Sequence, residues 1–234
     1  MKHNFTKPIS KRRTIMPGKP TKNSYGYTLG EEVANAVTHG LGTLLSAAGT
    51  VVMIVFAALA GDPWRIVSAS IYGFSLIVLF TMSTIYHALA PNRAKYVFRI
   101  FDHVTIYLLI AGSYTPITLV LLQGSFGWVL FGIVWGVCIL GIVLNSISVE
   151  RFKKISMVLY IIAGWAIVLA IVPMINSMAP AGLWLMLVGG ICYTGGIVFY
   201  KLKSVKFMHS IWHLFVLAGA VLHYFAILFY IIMA

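Results

Sequence analysis

The chain has 234 residues, of which 60% are hydrophobic and only 9% charged. A soluble domain runs near 45–50% apolar and roughly 25% charged, so a water-soluble globular protein is excluded, and two cysteines exclude a disulfide-rich scaffold. A net charge of +12 would suggest nucleic acid in a soluble chain; beside apolar spans it reads as topology instead, because Lys and Arg flanking a span set its orientation.

Residues 1–30 are rich in Lys, Arg, Pro, Gly, Ser and Asn, and the composition predicts a disordered basic tail. A basic start before an apolar run resembles a signal peptide. The run Leu41–Ala60 is too long for that, and no small-residue cleavage site follows, so the segment is expected to be retained.

Seven stretches reach the roughly 20 apolar residues that a spanning helix needs. They are Leu41–Ala60, Ile66–Leu89, Ile100–Leu122, Trp128–Ser146, Met157–Pro173, Leu183–Tyr200 and His213–Met233. Connectors are short, so residues 31–234 are expected to form one all-α domain, a seven-helix transmembrane bundle. Basic residues fall in the tail and after the second, fourth and sixth spans; only Arg65 falls on the other side. The positive-inside rule therefore puts the N-terminus in the cytosol and the C-terminus outside. That is opposite to a G-protein-coupled receptor and argues against that class.

Pro116 is expected to kink the third span and release the carbonyl of Gly112. Gly189–Gly190 and Gly195–Gly196 permit close helix packing. Cys138 and Cys192 lie in apolar spans with nothing nearby to activate a thiol, and are read as structural.

Ionisable groups inside spans are costly and therefore functional candidates. His87 ends the second span, Asp102 and His103 open the third, and His209 and His213 open the seventh, with His223 deeper in that helix. His209 and His213 are four apart, on one helical face and about 6 Å apart along the axis. One helix offers two imidazoles to one metal ion in this way.

The topology brings His87, Asp102, His209 and His213 to the same depth near the inner leaflet. Three imidazoles with one open position form a catalytic zinc arrangement, and zinc lowers the pKa of bound water to about 7. Asp102 would hold or deprotonate that water; alternatively it neutralises Arg99, one turn earlier. His103 is about 100° around the helix from Asp102 and reads as structural. His223 lies about 21 Å beyond His209, too far for the same ion, and is expected to make a helix-to-helix hydrogen bond. Glu32, Asn35 and His39 share one face before the first span. They either orient a ligand from behind or belong to an amphipathic segment lying at the interface.

The ordered motifs Glu32-x-x-Asn35-x-x-x-His39, Ser83-x-x-x-His87, Asp102 and His209-x-x-x-His213 resemble the progestin and adiponectin receptor superfamily. Within it the chain is similar to the bacterial hemolysin III branch, described as membrane homeostasis proteins, over about residues 28–234. The resemblance implies zinc held by His87, His209 and His213, with Asp102 reaching the metal through water and Ser83 positioning water or substrate. It also implies a multi-pass protein of the inner (cytoplasmic) membrane. The long cytosolic extension of eukaryotic receptors is missing, so their partners are not carried over.

Three functions compete. The first is zinc-dependent hydrolysis of a lipid amide or ester, ceramidase-like, with the metal and Asp102 as catalysts. The second is a non-catalytic, zinc-bound sensor or regulator of membrane state, which direct Asp102–zinc coordination would favour. A pore ranks last, because the polar residues cluster at one leaflet instead of lining the full depth.

Overall fold

The computed structural model describes residues 26–202 and 204–234, so the expected disordered tail lies outside the described residues except for 26–30. The described residues contain no strand. Among the described residues seven helices are long and apolar enough to cross a membrane: α1 (Leu29–Ala60), α2 (Pro63–Ala88), α3 (Arg93–Leu121), α4 (Gly124–Ile147), α5 (Val149–Ser177), α6 (Pro180–Lys201) and α7 (Met208–Ile232). The chain is a multi-pass, all-helical membrane protein.

The connectors carry the helix signals. Thr28 and Glu31 form a capping box at α1: Glu31 N–H donates to Thr28 Oγ1 at 3.4 Å, and Thr28 N–H donates to Glu31 Oε2 at 2.9 Å. Asp62 caps α2 ahead of Pro63, Asn92 accepts from Lys95 N–H at 2.9 Å at α3, and Ser148 accepts from Arg151 N–H at α5. Gly61 ends α1 in the left-handed region, at φ 69°.

α1 begins twelve residues before the apolar run predicts. Hydropathy misses this stretch because Glu31, Glu32, Asn35 and His39 interrupt it. All four are buried, on the face of α1 that packs against α2 and α7. The stripe is therefore not a face turned to the surface: it points inward, against α2 and α7.

α3 is the central helix, 78% of its apolar window being buried against 17% for α5 and α6. It packs on α2, α4 and α5, while α1 contacts α2 and α7, and α6 contacts α7. Outer faces carry exposed Leu, Val, Ile and Phe, as a lipid-facing surface should. Pro116 closes the regular part of α3, and a π-helical turn, Ile117–Leu121, follows. Thr115 and Thr118 hydroxyls donate to the carbonyls of Ala111 and Tyr114 at 2.9 and 2.8 Å, covering backbone around the irregularity. α5 is broken by a 3₁₀ turn at Ala166–Ala170. There the Tyr114 hydroxyl accepts from Ile167 N–H at 2.7 Å and donates to the Gly164 carbonyl at 2.8 Å.

The α6–α7 contact explains one member of each glycine pair. A Cβ on Gly189 would meet His223 Nε2 at 2.7 Å, and one on Gly196 would meet Phe215 Cβ at 2.9 Å. Gly190 and Gly195 have no neighbour closer than 3.9 Å. Cys138 is buried and Cys192 half-buried, both with free thiols.

Candidate metal centre

One end of the bundle collects the polar residues of α1, α2 and α7. His87 sits in the last turn of α2; His209 and His213 sit in the first turns of α7. Their rings lie 5.2 Å (His87–His209), 5.1 Å (His87–His213) and 4.7 Å (His209–His213) apart between centroids. One ligand atom from each lies within 4.8 Å of the others, and together they have the spacing to hold a metal ion.

Hydrogen bonds behind two of the rings occupy their Nδ1 atoms. His87 Nδ1 donates to Glu32 Oε2 at 2.7 Å. His213 Nδ1 lies 3.2 Å from both the Asn35 carbonyl and Thr38 Oγ1. Both are Nδ1–H tautomers on this pairing, which leaves Nε2 with a lone pair. The Nε2 atoms of His87 and His213 are buried with no hydrogen-bond partner. A buried orphan nitrogen is costly, and a metal-bound imidazole removes that cost while its other nitrogen donates to a carboxylate or carbonyl. On one tetrahedral zinc two nitrogens stand about 3.4 Å apart, with bonds near 2.1 Å. The ligand atoms, all within 4.8 Å of one another, are near that spacing, so the donor set fits a metal ion.

The α1 stripe builds the wall behind these rings. Asn35, fully buried, accepts from Ser210 Oγ at 2.6 Å through its Oδ1 while its backbone carbonyl meets His213. His39 stacks on His213 with centroids 3.5 Å apart and planes at 10°, and meets Phe80 edge-on at 5.1 Å. Neither His39 nitrogen has a hydrogen-bond partner, and His39 is not among the grouped donors. Glu31 ties the starts of the two helices together: its Oε1 accepts from Phe207 N–H at 3.1 Å. Phe207 holds φ 63°, an unfavourable conformation for a bulky residue, two positions before His209.

Ser83 lies one turn before His87, 1% exposed, its hydroxyl without a hydrogen-bond partner. Asp102 is buried on α3 but outside the group of three imidazoles; it lines an internal cavity of about 190 Å³ together with His209. This cavity is lined mainly by α3, α5, α6 and α7, and passes Ile106, Trp165 and Val216 to His223. From His209 to His223 it follows about 21 Å of α7. Arg99 pairs with Glu150. His103 Nδ1 donates to the Arg99 carbonyl at 2.9 Å, and His223 Nε2 donates to the Met186 carbonyl of α6 at 3.0 Å, the helix-to-helix bond expected of it.

Four contributors were missed in the sequence. Thr38 and Ser210 are small hydroxyls next to the motifs and carry no spacing signal of their own. Tyr27 precedes the first helix and packs its ring 5.0 Å from His209 and 5.7 Å from His87; burial pushes its phenol above its ordinary range. Lys95 reads in the sequence as one of the topology-setting charges after the second span. It is fully buried, with Nζ 2.9 Å from Glu32 Oε1.

A family model described as Haemolysin-III related matches residues 27–224. The chain belongs to this family. The match starts just before α1 and takes in every motif residue, which agrees with the hemolysin III resemblance drawn from those motifs. The chain is 43% identical over 204 residues to Hemolysin-3 homolog of Bacillus subtilis, covering 87% of this chain and 96% of that protein. It is 42% identical to Hemolysin-3 of Bacillus cereus over 202 residues, 86% and 92% of the two chains. Human Monocyte to macrophage differentiation factor is 29% identical over 214 residues, 89% and 87% of the two chains. No solved structure matches the chain.

Proposed function

We propose that this haemolysin-III-related protein is a zinc-dependent hydrolase that cleaves an amide or ester bond of a membrane lipid. The observation that carries the reading is the convergence of His87, His209 and His213, with the Nδ1 groups of His87 and His213 held from behind and their Nε2 atoms buried and unbonded. When bound, zinc polarises a carbonyl and supplies hydroxide near neutral pH.

The chain's residues do the rest. His87, His209 and His213 would hold the ion, and with Asp102 outside that group a fourth position would be left for water or substrate, as a catalytic site requires. Asp102 takes the proton of the attacking water and returns it to the leaving amine or alkoxide. Ser83 holds the water or the substrate carbonyl by its hydroxyl. The apolar cavity beyond Asp102 receives an acyl chain and excludes bulk water from the carbonyl. The charge distribution supports placing this end at the cytosolic face of the inner membrane, where a lipid enters sideways between helices.

The test is elemental mass spectrometry on detergent-purified protein, followed by release of fatty acid from lipid amides and esters. One zinc per chain is expected, lost in His209→Ala and in His213→Ala. Asp102→Ala keeps the metal and loses about 10²–10⁴ in turnover. A folded protein without metal overturns the reading. A zinc protein inert on every lipid amide and ester replaces it with a metal-pinned regulator of membrane state.

A further inference from the structure

Lys95 has the burial of a core residue and the chemistry of a surface one: its side chain is 0% exposed. Lysine is almost never fully buried unless paired, and here the pairing is specific. Nζ lies 2.9 Å from Glu32 Oε1 on α1 and donates to the carbonyls of Tyr86 at 2.8 Å and Leu89 at 3.0 Å at the end of α2. It also stands 4.7 Å over the Tyr86 ring. The two carbonyls flank His87 in sequence, one in the last turn of its helix and one at its C-cap, where no following turn satisfies them. The other oxygen of Glu32 accepts from His87 Nδ1 at 2.7 Å.

An ammonium has three donors and no acceptor. Placed here, it fixes the backbone that carries His87 and the carboxylate that orients the ring. We infer that Lys95 is a positioning residue of the metal centre, acting through the end of α2 and through Glu32 to aim His87 Nε2 at the ion. The role rests on the reading of the three histidines as ligands. It makes the metal geometry depend on a residue of α3 that touches neither metal nor substrate. Glu32 is accordingly a bridge between a cation and an imidazole, held at both oxygens.

The experiment compares Lys95→Met with the exposed control Arg93→Met in purified full-length protein. It measures zinc affinity by chelator competition, the d–d absorption of the cobalt(II)-loaded protein, and the melting temperature of the metal-free form. Outer partners of ligating histidines are worth about 10–100-fold in metal affinity. Lys95→Met is therefore expected to weaken zinc at least about tenfold and to change the cobalt spectrum, with Arg93→Met unchanged in both.

If Lys95→Met fails to fold, Glu32→Gln/Lys95→Met removes the unpaired buried charge and takes its place, with the same losses expected. A variant that melts earlier yet keeps wild-type affinity and spectrum shows a purely structural lysine and overturns the inference while the metal reading stands. Wild-type protein that takes up neither zinc nor cobalt overturns both.

Discussion

Two stretches of α7 present histidine to the interior in the same way at the level of a single ring. At its start, His213 uses Nδ1 on a backbone carbonyl and leaves Nε2 buried and unbonded. Ten residues on, His223 uses Nε2 on the Met186 carbonyl and leaves Nδ1 buried and unbonded. What separates them is company. His213 has His87, His209 and His39 around it, with Asn35 and Thr38 behind; His223 faces Tyr193 and the bare backbone of Gly189. An unpartnered imidazole nitrogen is therefore no metal site by itself. Convergence of three with the spacing to hold an ion, two of them held from behind through Nδ1, is what marks the other end as the candidate.

The largest effect that would break this comparison is on metal content. His213→Ala is expected to abolish stoichiometric zinc, whereas His223→Ala keeps one ion per chain; equal loss in both would erase the distinction. Asn35→Ala comes next, since it removes the acceptor of Ser210 Oγ and opens the wall behind His213. Zinc affinity should drop about 10–100-fold by chelator competition, accompanied by roughly 1–3 kcal/mol of stability from the stranded partner.

A smaller effect tests the His223 end. Gly189→Val forces a side chain against His223 and the Gly219 carbonyl, and overpacking of this kind costs typically about 1–3 kcal/mol. The melting temperature should fall with zinc stoichiometry intact. Smallest is Thr194→Val, which removes the acceptor of Trp165 Nε1 across the cavity between α5 and α6. About 1 kcal/mol is expected, visible in a denaturation midpoint and absent from metal binding.

The seven helices were legible because a span announces itself by its own composition. The histidine group was legible too, because the i, i+4 pair and the charge asymmetry each constrain depth without any contact being known. What stayed hidden depends on partners distant in sequence. Glu32 and His39 lowered the hydropathy of the first turns of α1, and only their burial against α2 and α7 shows that the helix starts at Leu29. Lys95 looks in the sequence like its neighbours Arg93 and Arg99; its carboxylate partner is 63 positions away, on a polar stripe whose role the sequence leaves open. The cavity is invisible for the same reason, being a space between helices distant in sequence with no residue pattern of its own.

The length of α1 carries one more consequence. Its 32 residues extend about 48 Å, while the hydrocarbon of a bilayer is about 30 Å thick. Such a helix must tilt or project. It is not at liberty to choose alone, because its first three turns are bonded to the end of α2, the start of α3 and the start of α7 through Glu31, Glu32 and Asn35. Any tilt that α1 takes in a bilayer must therefore be shared with the three helix ends that hold its polar start beside the histidines.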